Sequence, residues 1–126
     1  MARMSNHSLI SVVDDDTSVC ESLRCLIRSC GFAVEAFASA EEFLKSDYLR
    51  KTRCLILDVR MPGMNGLELQ RRLASSHREI PVIFITAQGG EAARGQALRD
   101  GAVDYLLKPF SEEALLKAIH AALNSK

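Results

Sequence analysis

The segment Cys54-Leu55-Ile56-Leu57-Asp58 is a continuously apolar run of strand length that ends at a carboxylate. Such a run is typical of a strand buried on both faces, as in the middle of a parallel sheet. The chain has five short apolar runs, and those at residues 9–13 and 82–85 share this character. The run at residues 33–37 mixes in polar side chains, which favours an edge strand, and the last run covers residues 103–107. These runs predict five strands.

Segments of helical length separate the runs, and each carries signals for the start or end of a helix. In chain order these signals are the stripe Cys20, Leu23, Ile27 and Cys30 before Gly31, a capping box at residues 39–42, Asn65 before Leu67, Leu69 and Leu73, residues 91–99 before Gly101, and Ser111 before Leu115, Leu116, Ile119 and Leu123. The fourth helix is the weakest, because an interior glycine such as Gly95 costs about 1 kcal/mol against alanine. Alternating strands and helices indicate an α/β fold with a parallel sheet and helices on both faces.

Composition limits the classes of protein to which the chain can belong. Its 126 residues suit one domain, which we expect over residues 8–124 after a flexible extension at residues 1–7, with no output domain in this chain. Sixteen Lys+Arg balance sixteen Asp+Glu, which argues against direct nucleic-acid binding. No apolar run approaches the ~20 residues that cross a membrane. The N-terminus lacks the apolar core of a signal peptide, so we expect a cytoplasmic protein without membrane contacts.

The four cysteines form no C-x-x-C pair, which predicts reduced, partly buried thiols.

Chemically active side chains follow four of the five predicted strands. Asp14 and Asp15 follow the first, Asp58 the third, Thr86 the fourth and Lys108 the fifth. In parallel α/β sheets ligands bind at the carboxyl ends of the strands, so these residues should meet. Clustered carboxylates repel one another unless a cation lies among them, and Mg²⁺ prefers oxygen ligands. A lysine can hold a phosphate, and a carboxylate can itself become an aspartyl phosphate. The set predicts an Mg²⁺-dependent phosphoryl-transfer site with an aspartate acceptor.

Four motifs in the same order resemble those of response-regulator receiver domains, the CheY-like superfamily, over about residues 8–123. They are Val12-Val13-Asp14-Asp15-Asp16, the segment from Leu57 to Gly66, Ile85-Thr86-Ala87, and Tyr105-Leu106-Leu107-Lys108-Pro109-Phe110. The Asp-Val-Arg-Met-Pro-Gly stretch is most similar to the FixJ-type subgroup, whose full-length members add a helix-turn-helix DNA-binding domain. The resemblance implies a doubly wound, five-stranded parallel sheet in the order 2-1-3-4-5, flanked by five helices.

The resemblance also implies roles for the acidic residues. Asp58 would accept a phosphoryl group from the phosphohistidine of a cognate histidine kinase. Mg²⁺ (or Mn²⁺) would be held by Asp15, Asp58 and the backbone carbonyl of Arg60, with Asp14 acting through a water. Asp16 is more suited to the helix start than to the metal. The Arg60 side chain and Gln88 occupy positions that vary across the family and are expected to tune phosphoryl lifetime.

A second group of residues would form the switch. Lys108 would pair with the acceptor carboxylate and then with the phosphate, and Thr86 would bond a phosphoryl oxygen. Tyr105 would turn from an outward to an inward rotamer. The Lys108–Pro109 peptide bond is expected to be cis. The face formed by helix 4, strand 5 and helix 5 would then dimerise or dock an output domain, if the full-length protein is longer. Such a domain catalyses only its own phosphorylation and dephosphorylation.

Three alternative functions stay open at this point. Haloacid-dehalogenase-type phosphatases also use an aspartate nucleophile, and Asp14, Asp16 and Ser18 stand at the positions of their D-x-D-x-T motif, with Ser18 in place of the threonine. Identifying which aspartate becomes phosphorylated, Asp14 or Asp58, discriminates this alternative. A receiver used only for docking is the second, although every expected site residue is present. The third, a flavodoxin, lacks its phosphate-binding loop after the first strand.

Overall fold

The computed structural model describes residues 8–87 and 90–124 and has the predicted α/β architecture. The expected extension at residues 1–7 and the tuning residue Gln88 lie outside the described residues. Five parallel strands form one sheet in the order β2-β1-β3-β4-β5. Their bounds are β1 Leu9–Val13, β2 Ala33–Phe37, β3 Thr52–Asp58, β4 Val82–Thr86 and β5 Asp104–Leu107. The predicted strand order is confirmed, including the edge position of the second strand.

A helix follows each strand, and the bounds agree closely with the sequence signals. They are α1 Thr17–Ser29, α2 Ala40–Lys45, α3 Gly66–Ser75, α4 Glu91–Arg99 and α5 Glu112–Asn124. A short 3-10 helix at Leu49–Lys51, which the sequence did not indicate, leads into β3. Among the described residues, no helix is long and apolar enough to cross a membrane.

Polar side chains begin most of the helices. Asp16 accepts the backbone N–H groups of Ser18 and Val19, as expected for the N-cap of α1. Asn65 and Glu68 form a complete capping box at α3. The predicted box of α2 is only half formed, because Glu42 accepts the Ala38 N–H instead of the Ser39 N–H. By contrast, the N-cap of α4 is Gly90, which offers no side-chain cap, and this fits the prediction of α4 as the weakest helix.

Alternate residues of the central strands divide the core into two layers. Cys54 and Ile56 of β3 belong to the layer under α1 and α5, whereas Leu55 and Leu57 belong to the layer with α2, α3 and α4. The central strands are enclosed on both faces, with Ile56, Leu57 and Phe84 fully buried. A rigid, two-sided sheet of this kind holds the residues at its carboxyl edge in fixed positions.

The four thiols are free, as predicted, but two of them are exposed and not partly buried. Cys20 and Cys54 are buried, and burial raises the pKa of the Cys54 thiol to about 12. Cys25 is exposed. Cys30, predicted on the buried stripe of the first helix, is instead its exposed C-cap, because the helix ends at Ser29. The residue after the helix end no longer follows the helical periodicity that placed it on the stripe.

Candidate phosphoryl-transfer site

Two buried carboxylates lie at the carboxyl ends of neighbouring strands β1 and β3. Asp14 directly follows β1, and its backbone N–H donates to the Phe37 carbonyl of the edge strand at 3.1 Å. One of its carboxylate oxygens, Oδ1, accepts the Asp16 N–H at 2.9 Å. Asp58 is the last residue of β3 and lies opposite Ile85 of β4. The two residues are 1% and 6% exposed, so neither carboxylate is freely hydrated.

A third carboxylate completes a compact acidic cluster. Oxygens of Asp14, Asp15 and Asp58 all lie within 4.8 Å of one another, and Asp15 is exposed while the other two are buried. Three carboxylates of which one is exposed suit a hard divalent cation that keeps several waters, as Mg²⁺ does. The residues present therefore fit such an ion, with the exposed side of the cluster as its route of entry.

Lys108 supplies the positive charge next to the cluster. Its Nζ lies 3.0 Å from Asp14 Oδ2 and 3.8 Å from Asp58 Oδ2. Lys108 therefore lies within ion-pair distance of Asp58, but its hydrogen bond goes to Asp14. The Lys108 backbone N–H donates to the Thr86 carbonyl at 2.8 Å, and the following Lys108–Pro109 bond is cis. The end of β5 is thus fixed beside the end of β4.

The surroundings shift the charge balance of these groups. Burial, reinforced by the negative charge of Asp14, raises the pKa of Asp58 to about 6, although Lys108 and the Arg60 N–H oppose the shift. Burial acts to lower the pKa of Lys108, but its hydrogen bond to Asp14 and the charges of Asp14 and Asp58 outweigh that effect. The pKa of Lys108 is consequently raised, so the ammonium stays charged. An additional cation would stabilise the ionised form of Asp58.

Thr86 and Tyr105 lie on the adjacent strands β4 and β5. Thr86 ends β4 and is 1% exposed. Tyr105 is 7% exposed, and its ring packs against Phe84 with centroids 6.1 Å apart. The Tyr105 hydroxyl is buried without a hydrogen-bond partner among the described residues. The Tyr105 side chain is therefore buried, and its turn from an outward to an inward rotamer stays a prediction.

The loop after Asp58 brings backbone groups to the carboxylate. The Arg60 N–H donates to Asp58 Oδ1 at 3.3 Å, while the Arg60 side chain is exposed. Gly66 turns the loop into α3, and its N–H donates to the Val59 carbonyl at 2.9 Å. A Cβ at Gly66 would lie 2.3 Å from the Asp58 carbonyl oxygen, so only glycine fits. Sequence reasoning assigned Gly66 no role of its own, although its fixed distance from Asp58 in the motif was a usable signal.

Known proteins with similar sequences provide an independent comparison. A family model described as the response regulator receiver domain matches residues 10–120. The response regulator protein TodT of Pseudomonas putida is 49% identical over 116 residues, which are 92% of this chain and 51% of that protein. The transcriptional regulatory protein FixJ of Bradyrhizobium diazoefficiens is 36% identical over 120 residues, 95% of this chain and 58% of that protein. The chain thus spans about half the length of the curated relatives it matches.

Solved structures agree with the sequence comparison. The crystal structure of FixJ-N superposes with a TM-score of 0.84 at 37% identity and covers 94% of both chains. The structure of the response regulator StyR gives a TM-score of 0.85 at 49% identity, covering 91% of this chain and 58% of that one. The FixJ-type resemblance is supported by both comparisons. Together with the acidic cluster and Lys108, they show that this chain belongs to the response regulator receiver domain family of two-component signalling.

Proposed function

We propose that Asp58 is the phosphoacceptor of this receiver domain and takes its phosphoryl group from a phosphohistidine of a histidine kinase. One observation carries the proposal: Asp58 is a buried strand-end carboxylate that lies next to two further carboxylates and the Lys108 ammonium. A carboxylate in such a setting is an activated nucleophile once a cation offsets its neighbours.

The transfer is an in-line displacement at phosphorus. An oxygen of ionised Asp58 forms the new O–P bond while the P–N bond to the donor imidazole breaks, and that electron pair stays on the imidazole nitrogen. Lys108 stabilises the phosphoryl oxygens, and Thr86 donates its hydroxyl to one of them. Asp15, Asp58 and the Arg60 backbone carbonyl would hold Mg²⁺ or Mn²⁺, with Asp14 acting through a water. When bound, the ion supplies charge neutralisation on the transferring group.

The proposed structural response to phosphorylation passes from the acidic cluster to the loop after β4 and to α4. A phosphoryl group draws Thr86 and Lys108 towards it, and the loop after β4 follows. The α4 helix is suited to move, because it lacks a side-chain cap and buries only Ala97. In the switched state Tyr105 would pack inward, and its side chain is already buried here.

The surface of α4, β5 and α5 is the proposed output face. Leu107 of β5 is 54% exposed there, an unusual position for a large apolar side chain. A homodimer or an attached output domain would cover it. Relatives named as transcriptional regulators support an output domain that binds DNA, whereas this domain itself would contact neither DNA nor a membrane.

Two finer expectations accompany this proposal. The domain would also hydrolyse its own aspartyl phosphate, and the exposed Arg60 side chain at the rim of the cluster would tune that rate together with Gln88. A cytoplasmic location stays a prediction from composition.

Intact mass after incubation with acetyl phosphate tests the assignment. Wild-type protein should gain one phosphoryl group only when Mg²⁺ is present, and Asp58→Asn should gain none. Asp16→Asn is the matched control, because Asp16 caps α1 and should leave the uptake unchanged. Normal phosphoryl uptake by Asp58→Asn would refute the acceptor role and favour Asp14 as in the phosphatase alternative. No uptake by wild type from acetyl phosphate or a phosphorylated kinase would leave the docking-only alternative.

A further inference from the structure

The loop that follows Asp58 is attached to a helix from an earlier part of the chain. This β3–α3 loop covers residues 59–65, and its Met64 N–H donates to Glu41 Oε2 at 3.2 Å. Glu41 lies in the first turn of α2. The hydrogen bonds that the loop makes through Arg60 and Asn65 go to neighbours at Asp58 and Glu68. The contact with Glu41 therefore joins the loop to a separate element.

The backbone next to this contact fits closely around the carboxylate. Gly63 has a φ of +77°, and a Cβ built on it would lie 3.1 Å from Glu41 Oε2. The positive φ turns the chain so that the next residue, Met64, presents its N–H to Glu41. The helix that carries Glu41 is itself anchored, because Phe43 of α2 is fully buried in the core. The exposed Glu41 carboxylate thus extends from an anchored helix to the loop between Met61, which is buried in the core, and Met64, which packs against it.

We propose that Glu41 is a positioning residue for the cation site of this domain. By holding the Met64 N–H, it would keep in place the loop that carries Arg60, whose N–H bonds Asp58 and whose backbone carbonyl is a proposed ligand. Glu41 would act through the loop and not as a ligand. The inference rests on the proposed function, because it needs a cation bound at the Asp58 cluster.

The dissociation constant of Mg²⁺, measured by titration calorimetry on the metal-free domain, tests this role. Glu41→Ala removes the acceptor and should weaken Mg²⁺ binding about 10-fold, the lower end for residues that support metal ligands. Glu41→Gln removes the charge but keeps an acceptor oxygen, so its affinity should stay within about twofold of wild type. Glu79→Ala removes a carboxylate from the exposed α3–β4 connection and should change nothing. Hydrogen exchange at the Met64 amide should quicken in Glu41→Ala and not in Glu41→Gln.

Contrary results would overturn either the positioning role of Glu41 or the cation site on which it rests. Wild-type Mg²⁺ affinity in Glu41→Ala would overturn the positioning role. Equal weakening in Glu41→Gln and Glu41→Ala, or in Glu79→Ala, would also overturn it, because charge and not the hydrogen bond would be responsible. If wild-type protein bound no Mg²⁺ at all, the proposed cation site itself would fail. Phosphorylation by acetyl phosphate gives a further check, since Glu41→Ala should be slow at low Mg²⁺ and recover at saturating Mg²⁺.

Discussion

Lys108 Nζ is hydrogen-bonded to Asp14 Oδ2 at 3.0 Å, and not to the carboxylate that we propose as the acceptor. The distance to Asp58 is 3.8 Å, within ion-pair range but beyond a hydrogen bond. Asp14 thus holds the Lys108 ammonium beside Asp58. One carboxylate oxygen of Asp58 is left without a hydrogen bond to Lys108 and can act as the nucleophile. The same arrangement leaves the cluster short of positive charge, because one ammonium faces two buried carboxylates.

Burial of Asp58, together with this shortage of positive charge, predicts an unusual pH dependence of stability. The pKa of Asp58 is raised from 3.8 to about 6, so between these values the folded protein holds a proton that the unfolded chain has released. The contribution of Asp58 to the free energy of unfolding therefore falls by about 3 kcal/mol as pH rises from about 4 to about 6. Above about pH 6 this contribution stays low. Asp58→Asn lacks this contribution. In metal-free buffer the variant should be more stable than wild type at pH 7 and nearly equal at pH 4.

Urea unfolding at several pH values measures this difference. Asp47→Asn, which removes an exposed carboxylate elsewhere, is the control and should follow wild type. A constant difference between Asp58→Asn and wild type across the pH range would contradict the raised pKa of Asp58.

Mg²⁺ should stabilise the folded domain through Asp15. At a hundredfold excess over its dissociation constant, the ion should raise the free energy of unfolding by about 2.7 kcal/mol. Asp15 is exposed, so Asp15→Asn should leave the metal-free stability within about 0.5 kcal/mol of wild type. The same variant should lose most of the Mg²⁺-dependent rise in melting temperature. Thermal unfolding with Mg²⁺ and with a chelator measures both effects, and a full rise in Asp15→Asn would remove that residue from the ligand set.

The buried Tyr105 hydroxyl lowers the free energy of unfolding in this arrangement. It is buried without a partner among the described residues, while the ring packs on Phe84. Tyr105→Phe keeps the packing and removes the unsatisfied group, so it should be neutral or raise the free energy of unfolding by about 1 kcal/mol. Tyr105→Ala loses the ring and should lower it by about 3–5 kcal/mol. Urea unfolding separates the two, and a marked loss of stability in Tyr105→Phe would show that the hydroxyl is bonded.

Sequence patterns predicted the strands and the strand-end residues because both depend on local periodicity. Buried parallel strands are continuously apolar, so the residue that ends each run is visible, as Asp58 and Thr86 are. Details that depend on contacts between distant parts of the chain could not be predicted from these patterns. β3 begins earlier than its apolar run, at Thr52, whose hydroxyl bonds buried Ser11 at 2.7 Å. The partner of Lys108 depends on a difference of less than an ångström between two carboxylates, which no sequence pattern encodes.

Gly66 affects both the packing of the fold and the position of Asp58 in the proposed site. A Cβ there would lie 2.3 Å from the Asp58 carbonyl oxygen and 3.0 Å from Phe84 Cε1, and neither the backbone nor the buried ring has room to move. Gly66→Ala should therefore lower the free energy of unfolding by about 1–3 kcal/mol and slow phosphorylation by displacing Asp58. Gly95→Ala is the matched control, since its Cβ would meet only Arg99 Nη1 at 3.5 Å, an ordinary contact. In the interior of α4 that change should stabilise the protein by up to about 1 kcal/mol. Urea unfolding and acetyl phosphate kinetics on both variants test this contrast, and a Gly66→Ala protein with wild-type stability and rate would show that the loop can yield without disturbing Asp58.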